Sequence, residues 1–105
     1  MSVRSRRQIL LPEAREDLRD ALLFTEQRWG QAQRRQYRQR LFDAFAELSR
    51  FPNLGRLRPE LGPATLSFRV GQHVIVYRFT ETEFVVARIL HVRRDVEGQF
   101  GAPTQ

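Results

Sequence analysis

The chain has no cysteine, so disulfides, thiolate nucleophiles and thiolate metal sites are excluded at the outset. It also has no lysine: all 18 basic residues are arginine. Nowhere does an apolar run approach the roughly 18 to 20 residues that a membrane span needs. The basic start, Met1-Ser-Val-Arg-Ser-Arg-Arg7, leads into only a few apolar residues before Pro12, which argues against a secretory signal. Two histidines and scattered carboxylates show no metal-ligand spacing. The glycines at Gly55, Gly62 and Gly71 are isolated turn residues, so no phosphate-cradling loop is present. The expectation is a cytoplasmic protein without metal or cofactor.

What is there is charge. The 105 residues carry a net charge of +6, with an isoelectric point near 11.3. This balance favours acidic partners, whether nucleic acid or an acidic protein segment. The codon bias of a GC-rich genome is a second reading of the missing lysine, but it does not account for the excess of basic over acidic residues. The length suits one domain, expected over residues 1–100, with a disordered tail at 101–105.

Gln8-Ile-Leu-Leu11 has strand length and is closed by Pro12, which then suits the first turn of a helix because its missing N–H would have no partner there. That helix is predicted from Pro12 to Trp29. Ala14, Leu18, Ala21, Leu22, Thr25 and Trp29 share one face at helical spacing. Acidic first turns and Arg28 in the last turn match the helix dipole, and Gly30 is the stop. A second helix follows, from Gln31 to Arg50, with Tyr37, Leu41, Ala44, Phe45 and Leu48 on its buried face. Two long helices separated by one glycine must fold back on each other. Leu23, Phe24 and Phe42 lie off the main stripes, so a sheet or a bound partner is expected to cover them. Arg34, Arg35, Arg38 and Arg40 crowd the start of the second helix against its dipole. This is either a solvated face or a surface kept basic for an acidic partner.

Residues 56–64 read as a loop. Leu66, Phe68 and Val70 alternate with polar residues, and Gly71-Gln72 suits a type II′ hairpin turn. His73-Val-Ile-Val-Tyr-Arg-Phe79 and Phe84-Val-Val-Ala-Arg-Ile-Leu90 are two further strands, and a short helical turn is expected after His91-Val-Arg-Arg-Asp95, through Phe100. The order β-α-α-β-β-β gives an α+β fold, with a helical hairpin on one face of an antiparallel sheet.

Nucleophilic chemistry has thin support: no serine sits at a strand–helix elbow, and His73 and His91 read as structural or hydrogen-bonding residues. Arg56, Arg58, Arg69, Arg78, Arg88, Arg93 and Arg94 cluster on or beside the sheet. They could hold a phosphate for ribonucleolysis, which would still require a group to move protons. Tyr77 reads as core, leaving His91. The alternative is a binding surface, where planar guanidinium groups grip carboxylates or phosphates.

Leu11-Pro-Glu-Ala-Arg-Glu-Asp-Leu18, Arg28-Trp-Gly30, Phe51-Pro-Asn-Leu-Gly-Arg56, Ser67-Phe-Arg-Val-Gly71, His73-Val-Ile-Val-Tyr-Arg78 and Ile89-Leu-His-Val-Arg-Arg-Asp95, in this order and spacing, resemble the RelE/ParE toxin superfamily on its ParE side. The resemblance implies a type II toxin, inhibition of DNA gyrase, and an antitoxin whose acidic C-terminal segment wraps the toxin in a hetero-oligomer. RelE members instead cleave messenger RNA on the ribosome, and a non-toxic relic that only binds antitoxin is a third reading. Leu66, Gln72 and Val92 depart from common ParE patterns. Phe100 stands where many RelE-type nucleases keep a tyrosine, which argues against the nuclease. The expected target-binding residues are Arg69, Arg78, Arg93 and Arg94. The expected antitoxin contacts are Leu23, Phe24, Arg34, Arg35, Arg38 and Phe42. No catalytic residue is assigned.

Overall fold

In a computed structural model, which describes residues 5–96, the chain forms a five-stranded sheet with two long helices across one face. β1 (Arg7–Leu10) leads into α1 (Pro12–Trp29), and α2 (Gln31–Arg50) returns. The short strand β2 (Arg56–Leu57) follows, then β3 (Leu66–Val70), β4 (His73–Phe79), β5 (Glu83–His91) and the short helix α3 (Val92–Val96). Both long helices have the predicted bounds. Their limits come from local chemistry: Pro12 opens α1, and Gly30, at φ 94°, ends it in a conformation that side chains rarely adopt.

The strand order is β1-β5-β4-β3-β2. Here the structure differs from the expected antiparallel sheet. The hairpins β2–β3, β3–β4 and β4–β5 are antiparallel, but β1 runs parallel to β5, with Leu10 opposite Val86. The intervening helical hairpin provides the crossover that a parallel pair requires. β2 falls inside the 56–64 span expected to be a loop, since two residues are too few to show alternation. α3 begins at Val92, ahead of the helical turn expected after Asp95, and residues 97–105, where most of that turn and the expected tail fall, lie outside the described residues.

Gly71 has φ 57° and Gln72 has no positive φ, as a type II′ turn requires. A Cβ on Gly71 would also come within 2.7 Å of the Tyr37 ring. The main core lies between helices and sheet, built from Leu22, Leu41, Phe45, Leu48, Ile75, Tyr77, Phe84 and Val86 among others. A smaller cluster, Val74, Val76 and Leu90, lies on the opposite face under Leu61 and Val92. Tyr77 is fully buried, as its run of apolar neighbours predicts. Its hydroxyl donates to the Pro52 carbonyl at 2.5 Å and accepts the Gly55 N–H at 3.1 Å, fastening the 51–55 segment to the core. No described helix is long and apolar enough to cross a membrane.

Trp29 departs from its expected place on the buried face: it is 67% exposed. It is the last residue of α1, and the chain turns there before anything can cover it.

Candidate functional site

The sheet arginines divide into two kinds. Arg58 is buried, with Nε on Glu60 at 2.6 Å and an NH1 contact to Ser67 Oγ at 3.0 Å. The bond from Arg58 holds the Glu60 carboxyl below its ordinary range. Arg88 lies beside a β-bulge, since Tyr77 faces Val86 and Val76 faces Arg88, leaving Ala87 unmatched. Its guanidinium grips Asp17 of α1 through two bonds, at 2.7 and 3.1 Å. Asp17 also accepts the Ile89 N–H at 2.9 Å. β1 pairs with β5 only as far as Val86, so Asp17 covers backbone beyond the end of that pairing. Arg58 and Arg88 therefore hold the fold together and leave the expected binding surface.

Arg69 and Arg78 are exposed on the sheet face away from the helices. Arg69 stands opposite Val74, and Arg78 is four residues further along β4, about 13 Å away at the usual strand rise. Arg93 and Arg94, also exposed, start α3 just past His91, at the Arg69 end of the sheet. The structure thus gathers Arg69, Arg93 and Arg94 at one end and leaves Arg78 at the other.

The expected antitoxin contacts also separate. Arg34, Arg38 and Phe42, spaced by four, share one flank of α2. The Arg38 guanidinium sits 4.5 Å over the Phe42 ring, and Arg34 pairs with Glu26 of α1 at 2.5 Å. Arg35 is exposed beside them. Phe42 itself is partly buried against Phe45, edge to face. Leu23 and Phe24 are 48% and 45% exposed, so the sheet does not cover them. Being adjacent on a helix, they diverge by about 100°. Phe24 turns to the end of the sheet, where Arg28 lies over both its ring (5.3 Å) and that of Trp29 (6.0 Å).

At that end a cavity of about 200 Å³ opens between α1 and the ends of β4 and β5, lined by Asp17, Asp20, Phe24, His73, His91 and Arg94 among others. A neighbouring cleft of about 490 Å³ is shared by Phe24, Trp29, Gln72 and Arg93. His73 and His91 are cross-strand partners, with ring centroids 5.5 Å apart. His73 Nδ1 is 2.6 Å from the Tyr37 hydroxyl, which donates to the Val70 carbonyl at 2.9 Å. Burial above all, then the neighbouring His91, lowers the His73 pKa from 6.5 to about 4; Asp17 pulls the other way. Burial also raises the Tyr37 pKa. The reading of both histidines as hydrogen-bonding residues fits this network. Their meeting was nearly legible, because the two predicted strands fold about the 80–83 turn. The Tyr37 contact and the exposure of Trp29 were not. Among the described residues no set of three His, Asp or Glu could hold a metal ion.

Comparison with known proteins agrees with this architecture. Residues 9–96 match the family described as ParE toxin of type II toxin–antitoxin system, parDE. The chain is 37% identical over 65 residues to Toxin ParE3 of Caulobacter vibrioides, a match covering 62% of this chain and 65% of that protein, less than two thirds of its length. Among solved structures, a chain of the chromosomal ParDE system from P. aeruginosa superposes with a TM-score of 0.69 at 17% identity, covering 83% of this chain and 96% of that one. A chain of the RelBE2 toxin–antitoxin complex from Mycobacterium tuberculosis gives 0.54 at 26% identity, covering 84% and 99%. The α+β fold and the family match over most of its length establish that this chain belongs to the ParE toxins of type II toxin–antitoxin systems.

Proposed function

We propose that this toxin acts by gripping DNA gyrase rather than by cutting a substrate, and that a cognate antitoxin neutralises it by covering its surface. The observation that carries this reading is that Arg69, Arg93 and Arg94 stand at one end of the sheet, where Arg93 and Arg94 share clefts with exposed Phe24 and, for Arg93, Trp29. Aromatic residues and arginine are enriched among the side chains that dominate protein interfaces. Tyr77, the candidate proton donor on β4, is buried with its hydroxyl committed to backbone. Arg78 belongs to the surface only if the target spans the outer sheet face.

The antitoxin's acidic C-terminal segment would lie along the outside of the helical hairpin, with acids on Arg35 and Arg38 and an apolar side chain on Leu23 or Phe42. Arg34 is already paired, so an acid there must displace Glu26. Ordering such a segment costs entropy, so a long wrapped contact is expected. The solved ParDE and RelBE2 systems, both toxin–antitoxin assemblies, support a partner of this kind.

The test is gyrase-catalysed supercoiling with purified toxin. Inhibition with trapped gyrase–DNA complexes, relieved by the antitoxin, is expected. Full supercoiling activity at saturating toxin, from a preparation that arrests growth when expressed, would remove gyrase as the target.

A further inference from the structure

The cavity between α1 and the ends of β4 and β5 measures about 200 Å³. Small-molecule sites typically hold roughly 300–1,000 Å³, so this one suits a single side chain better than a free metabolite or nucleotide. Its polar lining is set by two hydrogen-bond networks that fix opposite tautomers.

The Tyr37 hydroxyl has one proton and donates it to the Val70 carbonyl. Toward His73 it can only accept, so His73 carries its proton on Nδ1 and a lone pair on Nε2. Among the described residues no buried side-chain nitrogen lacks a partner. His73 Nε2 has none in the protein, so it is accessible, on a ring that lines this cavity. His91 is arranged the other way. Its Nδ1 accepts the Arg93 N–H at 3.1 Å, so the neutral ring keeps its proton on Nε2. The rings meet edge to face, presenting an acceptor and a donor side by side.

Charge selects among possible occupants. The lining carries both signs, Asp17 and Asp20 against Arg94; a carboxylate would meet the His73 lone pair and an ammonium or guanidinium the His91 N–H, whereas a neutral polar group meets neither repulsion. A hydroxyl offers donor and acceptor on one atom. A primary amide carries an NH₂ donor and a carbonyl acceptor on separate atoms of one plane. The geometry points to a socket for the amide of an asparagine or glutamine side chain of a protein partner, its N–H on His73 Nε2 and its carbonyl on His91 Nε2–H. The exposed Phe24, Trp29 and Arg28 at the rim are the residue types expected around such an anchor. The socket does not depend on which protein the toxin grips.

Long-range proton–nitrogen NMR of the imidazole rings at neutral pH tests this, with propionamide as the probe. The free protein should show His73 protonated at Nδ1 and His91 at Nε2. Propionamide should then shift both rings saturably, at lower concentration than acetate, methylguanidinium or cytidine. Tyr37→Phe releases His73 to the other tautomer and should weaken the response by about tenfold, the upper worth of one neutral hydrogen bond, with core resonances unmoved. Reversed tautomers, no saturable shift, an unchanged response in Tyr37→Phe, or preference for any comparator would overturn the assignment. Preference for cytidine would point to nucleic acid instead.

Discussion

Replacing His73 by asparagine removes a buried titrating ring while keeping an N–H placed to donate to the Tyr37 hydroxyl. The unfolded imidazole takes up a proton near pH 6.5, but in the folded chain burial delays this to about pH 4. Between those values the unfolded state binds more protons, so stability is full above about pH 6.5 and is lost as pH falls toward 4. At about 1.4 kcal/mol per pKa unit the total is roughly 3 kcal/mol, of which about 2 kcal/mol is gone by pH 5. Asp17 and His91 face the same ring, and both are present in His73→Asn as in the wild type. Urea unfolding followed by circular dichroism at pH 7.5 and pH 5 reads the difference. The wild-type midpoint should fall further than the variant's by roughly 1 to 2 M, given the usual urea dependence. Parallel behaviour of the two proteins down to pH 5 would refute the claim that His73 is held neutral by burial.

Asp17→Asn removes the carboxylate that the Arg88 guanidinium grips and should cost about 2–3 kcal/mol in urea unfolding, less than for a fully buried pair because Arg88 is a quarter exposed. The same measurement on Asp17→Leu with Arg88→Met should recover part of that loss. Tyr77→Phe strands the Pro52 carbonyl and the Gly55 N–H and should cost about 1–3 kcal/mol, lowering the melting temperature. Gly71→Ala meets both a left-handed backbone and the Tyr37 ring, so its melting temperature should fall by the equivalent of about 1–2 kcal/mol or more. Charge reversal at Arg69, Arg93 and Arg94 should abolish growth arrest while the protein still copurifies with its antitoxin. Reversal at Arg35 and Arg38 should do the opposite, as read by colony formation and pull-down.

Much of the fold was legible because it is written in local chemistry. Pro12 and Gly30 punctuate α1, the spacing of Tyr37, Leu41, Ala44, Phe45 and Leu48 declares α2, and Gly71 sets the hairpin turn. What was hidden depends on distant partners. Periodicity gives a strand two faces but no neighbour, so the parallel pairing of β1 with β5 could not be read. Alternation marks Arg88 as one of several arginines on strands, yet its acid lies 71 residues away across the fold. Arg58 likewise looked like a loop cation until Ser67 and Glu60 closed around it. Trp29 failed for the opposite reason: its helical phase is right, but the hairpin ends before anything reaches it. The structure therefore takes Arg58 and Arg88 out of the candidate surface and into the fold.

Gripping without cutting leaves a trace that cells can report. Shortly after induced expression, DNA ends covalently linked to gyrase and the 5′ ends of messenger RNA can be mapped in the same culture. Accumulation of gyrase-linked ends, with messenger ends unchanged from uninduced cells, is the predicted result. Codon-phased messenger cuts without gyrase-linked DNA would contradict it.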